Sequence, residues 1–286
     1  MSQHIQTPRG IFHVRTYGDP ARPAIMLLHG WPQTGYCWHH VAPFLSDHYY
    51  VIAPDLRGMG DSNRERDMKF YTKDEMSEDM FAIADALGLE KFYLGGHDWG
   101  GAIVQEMAFL RPERVQKLLI VNMVIINNPK GQAAAAEILA KQLYRSSWYQ
   151  FFLSIKDFPE ALLQGKEDIW VRFFSRGISN PVPEEAIQEY IRCYKIPHSI
   201  TTAANIYRTI PSDRKRWQQY EGKVQPIPTK FIHGILDPVI IKEYLVGVED
   251  YFQQVEIARL KGGHFIVDEQ PEAVAKEISS FLNEPK

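Results

Sequence analysis

The stretch Gly95-Gly96-His97-Asp98-Trp99-Gly100-Gly101 constrains this 286-residue chain more than any other. Before it, Lys91-Phe92-Tyr93-Leu94 is short and apolar, the pattern of a buried strand. After it, Ala102 to Leu110 has the length and apolar spacing of a helix and stops before Pro112. A strand, a tight turn with glycines at Gly96 and Gly100, and a helix make the nucleophile-elbow context, usually written G-x-S-x-G. The glycines matter because the central residue is held in a strained conformation and its neighbours must leave room. Here the central residue is Asp98, a carboxylate where serine is usual. An attacking carboxylate forms an alkyl ester on the protein, which points to saturated carbon, as in an epoxide or a carbon–halogen bond. Taken alone, the turn also suits Asp98 as a plain helix N-cap, because aspartate is favoured there.

The rest of the chain sets this turn in an architecture. From about Ile11 to Asn127, strand patterns alternate with helical ones. Ala24–Leu28 and Tyr49–Ala53 are uninterrupted apolar runs, suited to strands buried on both faces of a parallel sheet. A helix is expected from Tyr71 to Leu87 and a strand from Lys117 to Asn122. From Pro129 to Trp217 strand signals vanish, and helical segments are expected over 132–143, 148–153, 169–174, 184–193 and 200–207. Strands return at 229–233 and 255–260, followed by an amphipathic helix over 272–282. This predicts an α/β fold with a mostly parallel twisted sheet flanked by helices, formed by 1–128 and 218–286. Residues 129–217 are expected to be an inserted all-helical cap.

Composition excludes several function classes. With 32 basic and 35 acidic residues the net charge is −3, so no nucleic-acid partner is implied. Arg214-Lys215-Arg216 reads as solvated surface. The two cysteines, Cys37 and Cys193, have neither metal nor redox spacing. The N-terminus lacks the apolar segment of a secretory signal. No apolar run approaches the about 20 residues needed to cross a bilayer. A cytoplasmic protein is expected, monomeric or homodimeric, without a membrane partner, metal or organic cofactor.

Covalent chemistry through Asp98 needs a base to activate water, an acid to orient that base, and donors for an oxyanion. Among ten histidines, His264 stands on a loop after strand 255–260, at the edge where catalytic groups gather in open α/β sheets. Asp237 follows strand 229–233, and its carboxylate is placed to accept the second imidazole N–H of His264. The order Asp98, Asp237, His264 matches the nucleophile–acid–base order of α/β-hydrolases. Downstream of the elbow helix, Asn122, Asn127 and Asn128 offer no competing carboxylate. The oxyanion hole is expected from the backbone N–H groups of Trp99 and Trp31, with Trp31-Pro32 as a cis peptide.

Together, His29-Gly30-Trp31-Pro32 with Trp38, Asp55 to Ser62, Gly96 to Gly101, Gly234 to Asp237 and Gly263-His264-Phe265 span nearly the whole chain. The chain resembles the α/β-hydrolase-fold epoxide hydrolases of the soluble type. Those enzymes place two cap tyrosines over the nucleophile to protonate the epoxide oxygen. The segments Trp148 to Phe152 and Asn205 to Arg208 look like the ones that carry them, which nominates Tyr149 and Tyr207. A phenol with pKa near 10 suits an alkoxide leaving group at neutral pH. Tyr144, Tyr190 and Tyr194 remain alternatives. Trp148, Phe151 and Phe152, with Phe173 and Phe174, are expected to shape the substrate pocket.

The resemblance implies opening of a small-molecule epoxide by water to a vicinal diol. A haloalkane or haloacetate dehalogenase using the same aspartate is the alternative. Haloalkane dehalogenases typically carry asparagine after His-Gly in the first loop, where this chain has Trp31. Fluoroacetate-type enzymes place arginines after the nucleophile, where this chain has Trp99 and Ala102. A non-catalytic binding protein of the same fold is a third reading, and it predicts a broken triad.

Overall fold

The computed structural model describes residues 1–283. The N-terminal segment forms an antiparallel hairpin, β1 (Ser2–Thr7) and β2 (Gly10–Tyr17). The sequence pattern misses β1 because it is an edge strand whose residues are exposed apart from Ile5 and Thr7. The apolar runs become the sheet interior: β3 (Ala24–Leu28), β4 (Tyr50–Pro54), β5 (Phe92–His97) and β6 (Val115–Val121). β7 (Thr229–Gly234) and β8 (Val255–Leu260) complete it. The eight-stranded order is β1-β2-β4-β3-β5-β6-β7-β8. Among the described residues only the β1–β2 and β2–β4 pairs are antiparallel, so the sheet is mostly parallel, as the alternation predicts.

Between strands run α1 (Lys73–Ala86) and the elbow helix α2 (Trp99–Leu110), which starts three residues earlier than its apolar spacing suggests. Glycines at the first turn of α2 hide that start from a periodicity argument. The chain between β6 and β7 contains helices α3 (Pro129–Lys141), α4 (Trp148–Ser154), α5 (Phe158–Leu163) and α6 (Glu167–Phe174). They are followed by α7 (Glu184–Tyr194), α8 (Ser199–Arg208) and α9 (Ile210–Trp217). Sequence periodicity does not reveal α5 and α9. Both carry proline in the first turn, where its missing N–H costs nothing. Short α10 (Ile266–Glu269) and amphipathic α11 (Pro271–Asn283) end the described chain.

Polar contacts seat this helical segment on α2, the loop after β4 and strand β2. Glu106 of α2 accepts from Arg216 Nε at 2.7 Å, Trp217 Nε1 at 2.7 Å and Tyr220 Oη at 2.9 Å. Thr202 Oγ1 donates to Gly58 O at 2.6 Å, and Arg15 pairs with Glu189 at 2.8 Å. The helices therefore cover the C-terminal edge of the parallel strands, where Asp98, Asp237 and His264 emerge. Among the described residues, no helix is long and apolar enough to cross a membrane.

Candidate active site

β5 ends at His97 and α2 begins at Trp99, which leaves Asp98 alone in the turn with φ 49° and ψ −128°. That positive φ is uncommon for a non-glycine residue and is held by close packing around it. A Cβ on Gly96 would stand 2.3 Å from the Gly100 backbone, and one on Gly100 would stand 2.5 Å from the carbonyl oxygens of Leu28 and His29. Asp98 occupies the N-cap position of α2, yet its side chain makes no capping bond. Its Oδ1 instead accepts the Trp31 N–H at 2.7 Å, and its Oδ2 lies 3.3 Å from His264 Nε2. The plain N-cap reading is thereby excluded. The Trp31–Pro32 peptide is cis, as expected.

His264 Nδ1 meets Asp237 Oδ2 at 2.7 Å. The other oxygen of Asp237 accepts the N–H groups of Val239 at 2.7 Å and Ile240 at 3.0 Å, which fixes the carboxylate. Burial works against a charged imidazole, but the Asp237 and Asp98 carboxylates outweigh it and push His264 up to about 10. Burial likewise works against the Asp237 charge, but His264 and the two backbone donors hold that carboxyl below its usual range. His264 therefore lies between two carboxylates that both favour its charged form.

Sequence reasoning missed the groups that hold the His264 loop. Asn122, at the end of β6, donates through Nδ2 to Gly263 O at 2.9 Å and His264 O at 3.0 Å, while its Oδ1 accepts the Gly234 N–H at 2.7 Å. It thus ties the loop after β8 to the end of β7, close to Asp237. Its signal was a polar residue ending an apolar strand run at the catalytic edge. His97 Nε2 contacts His264 O at 2.7 Å, and its Nδ1 lies 2.9 Å from the Gln33 amide, which reaches Asp268 at 2.6 Å. Burial, reinforced by Glu269, pushes the Asp268 carboxyl up to about 7.

Tyr149 on α4 and Tyr207 on α8 are both buried near Asp98. Their rings lie 5.8 Å apart at 82°. Tyr149 stacks on Trp31 at 5.1 Å, and Tyr207 meets Trp99 edge-on at 5.5 Å. Burial first, and the Asp98 charge in addition, push both phenols above their ordinary value, so both are protonated donors at neutral pH. The alternative tyrosines are placed differently. Tyr190 Oη donates to Asp268 at 2.9 Å, and Tyr144 is exposed. The Tyr194 hydroxyl is buried beside the Trp31 and Trp170 indoles.

A cavity of about 350 Å³ opens here, with Trp31, Trp148, Tyr149, Phe173, Phe174 and His264 in its wall. Phe151 and Phe152 are not in that wall, and neither are Asp98 and Tyr207. Phe151 is 62% exposed beside Tyr144, and Phe152 packs against Phe158 and Trp170. The docking of α4 turns Tyr149 inward and these rings away. His13, Asp55 and Asp61 bring potential metal-ligand atoms together, but Arg15 at 2.8 Å from Asp55 and Arg192 at 2.6 Å from Asp61 already neutralise the acids.

Residues 23–271 match the family model for the α/β hydrolase fold, and the chain belongs to that family. A solved putative α/β hydrolase from Nostoc sp. PCC 7120 superposes with a TM-score of 0.86 at 26% identity, covering 100% of this chain and 98% of that one. Within the family, the chain is 30% identical to epoxide hydrolase 4 of Mus musculus, across 96% of this chain and 76% of the relative. It is also 27% identical to a fluoroacetate dehalogenase of Burkholderia sp., across 92% of this chain and 88% of the relative.

Proposed function

We propose that the protein is an epoxide hydrolase that converts a small-molecule epoxide and water into a vicinal diol through an ester on Asp98. The observation that carries this reading is the stack of Asp98, flanked by His264, beneath the two buried, protonated phenols of Tyr149 and Tyr207. In it, residues 129–217 act as a cap over a core formed by 1–128 and 218–286.

In the first half-reaction the phenols hydrogen-bond the epoxide oxygen while Asp98 Oδ2 attacks a ring carbon. The carbon–oxygen bond breaks, and the alkoxide takes a phenolic proton to give a β-hydroxyalkyl ester. Ester formation removes the Asp98 charge, one of the causes that hold His264 protonated. The imidazolium then gives up its proton, which restores the phenol. In the second half-reaction, neutral His264, oriented by Asp237, takes a proton from water as that water attacks Asp98 Cγ. The resulting oxyanion forms on Oδ1, beside the Trp31 N–H that already binds this atom and the N–H of Trp99. Collapse releases the diol and returns the carboxylate.

The experiment is mass spectrometry of a His264→Gln variant mixed with styrene oxide. An adduct on the Asp98 peptide is expected to accumulate, and its absence with a range of epoxides overturns the covalent scheme. A haloacetate dehalogenase is the second reading, favoured by the Burkholderia relative and by the shared aspartate. Halide departure needs no proton, so the paired phenols speak for the epoxide. Diol release from an aryl epoxide, set against halide release from haloacetate and haloalkane, separates the two.

A further inference from the structure

Lys73 opens α1, and its side chain is fully buried. Every N–H of its ammonium has an acceptor: Ile206 O at 2.8 Å, Thr209 Oγ1 at 3.0 Å and Asp213 Oδ2 at 2.7 Å. The Lys73 backbone N–H donates to the other oxygen of Asp213 at 2.9 Å. These acceptors belong to the last turn of α8, the residue after it, and the first turn of α9. Tyr207 sits in that same last turn. Lys73 Nζ also stands 4.4 Å from the centre of the Trp99 ring, the ring that Tyr207 meets edge-on. Replacing a buried ion pair by apolar side chains is often neutral or stabilising, so holding the fold together does not account for the ammonium.

We infer that Lys73 is a positioning residue for epoxide opening, fixing the last turn of α8 so that the Tyr207 phenol stands against the Trp99 indole and over Asp98. The inference rests on the epoxide-hydrolase reading above. Its consequence is unequal for the two half-reactions. The phenol acts only while the ring opens, and a displacement of about 1 Å in such a group costs on the order of 100-fold in rate. The oxyanion donor of Trp99 is its backbone N–H, set by the start of α2 rather than by its side chain. Ester hydrolysis is therefore independent of Lys73.

The test compares Asp213→Asn with Lys73→Met/Asp213→Asn, so that neither protein buries an unpaired carboxylate. Stopped-flow fluorescence with styrene oxide resolves alkylation from hydrolysis, and circular dichroism verifies folding. The single variant keeps the ammonium and is expected to alkylate within about 3-fold of the wild type, because two of three acceptors remain. The double variant is expected to alkylate about 100-fold more slowly, with hydrolysis of the ester unchanged. Equal alkylation rates in the two variants overturn the inference. So does a proportional loss in both half-reactions, which marks a merely structural role. Should the double variant not fold, Lys73→Leu/Asp213→Leu replaces the buried pair by apolar side chains, and slower alkylation with unchanged hydrolysis is again expected. Unchanged alkylation in that variant overturns the inference. A wild type that forms no ester with any epoxide refutes the underlying reading, a result distinct from an ester that forms equally fast in both variants.

Discussion

The Trp31 backbone N–H donates to Asp98 Oδ1 at 2.7 Å, so one carboxylate oxygen already occupies the position where the proposed oxyanion forms. The loop can come this close because residue 30 is glycine. A Cβ there would lie 2.3 Å from Asp98 Cβ and Oδ1. The two oxygens of Asp98 are thus differentiated before substrate arrives, Oδ1 toward Trp31 and Oδ2 toward His264.

This division predicts where solvent oxygen goes. In the proposed mechanism water attacks Asp98 Cγ, so a single turnover in ¹⁸O-water is expected to label the Asp98 peptide and leave the diol unlabelled. Mass spectrometry of the peptide and the product reads both. Label in the diol alone after one turnover means direct attack of water on the epoxide.

In the proposed mechanism the phenols act only in ring opening. Tyr149→Phe and Tyr207→Phe are each expected to slow alkylation by about 100-fold or more, the usual range for loss of a general acid. The double variant is expected to lose measurable opening altogether. The burial of both rings is retained in phenylalanine, so the fold is kept. Wild-type alkylation in the double variant removes both residues from the mechanism.

His264 gives a pH signature. Its folded pKa is raised to about 10, above the unfolded value of about 6.5, so the imidazolium's contribution to stability is complete below about 6.5. That contribution is lost as pH rises through about 10. In Asp98→Asn, which mimics the uncharged ester, the midpoint followed by NMR of the imidazole is expected to fall by about one unit or more. An unmoved midpoint means that Asp98 does not control the charge on His264.

The elbow itself tolerates little change. Gly100→Ala places a methyl group 2.5 Å from two backbone carbonyl oxygens that cannot move without shifting β3. It is expected to destabilise the protein by about 3 kcal/mol or more, in the range of severe steric changes. Chemical denaturation measures the loss, and a change under about 1 kcal/mol means that the loop after β3 yields more easily than its packing suggests.

The elbow, the mostly parallel sheet and the chain order of Asp98, Asp237 and His264 were legible in the sequence because each rests on local pattern. A buried parallel strand needs an unbroken apolar run, a tight turn needs glycine, and a parallel sheet delivers the ends of its strands to one edge. The hairpin strand β1 was not legible, because an exposed edge has no apolar signature. Helices α5 and α9 were hidden by first-turn prolines that a pattern reads as breaks.

The tertiary structure alone decided which side chains meet. Phe151 and Phe152 lie close in sequence to Tyr149, yet only the docking of α4 determines that Tyr149 faces Asp98 and those rings do not. Asn122, Gln33 and His97 support the His264 loop from positions far apart in the chain, and Lys73 reaches Tyr207's helix from α1. No sequence spacing encodes such contacts, because they arise where separate elements pack and each buried polar group must find its partner. The sequence by itself determined the carboxylate at the elbow and the residues able to serve it. Packing of the helical segment on the sheet edge determined the phenols above it and the wall around it, while the Asp237 and Asp98 carboxylates brought beside His264 favour its charged form.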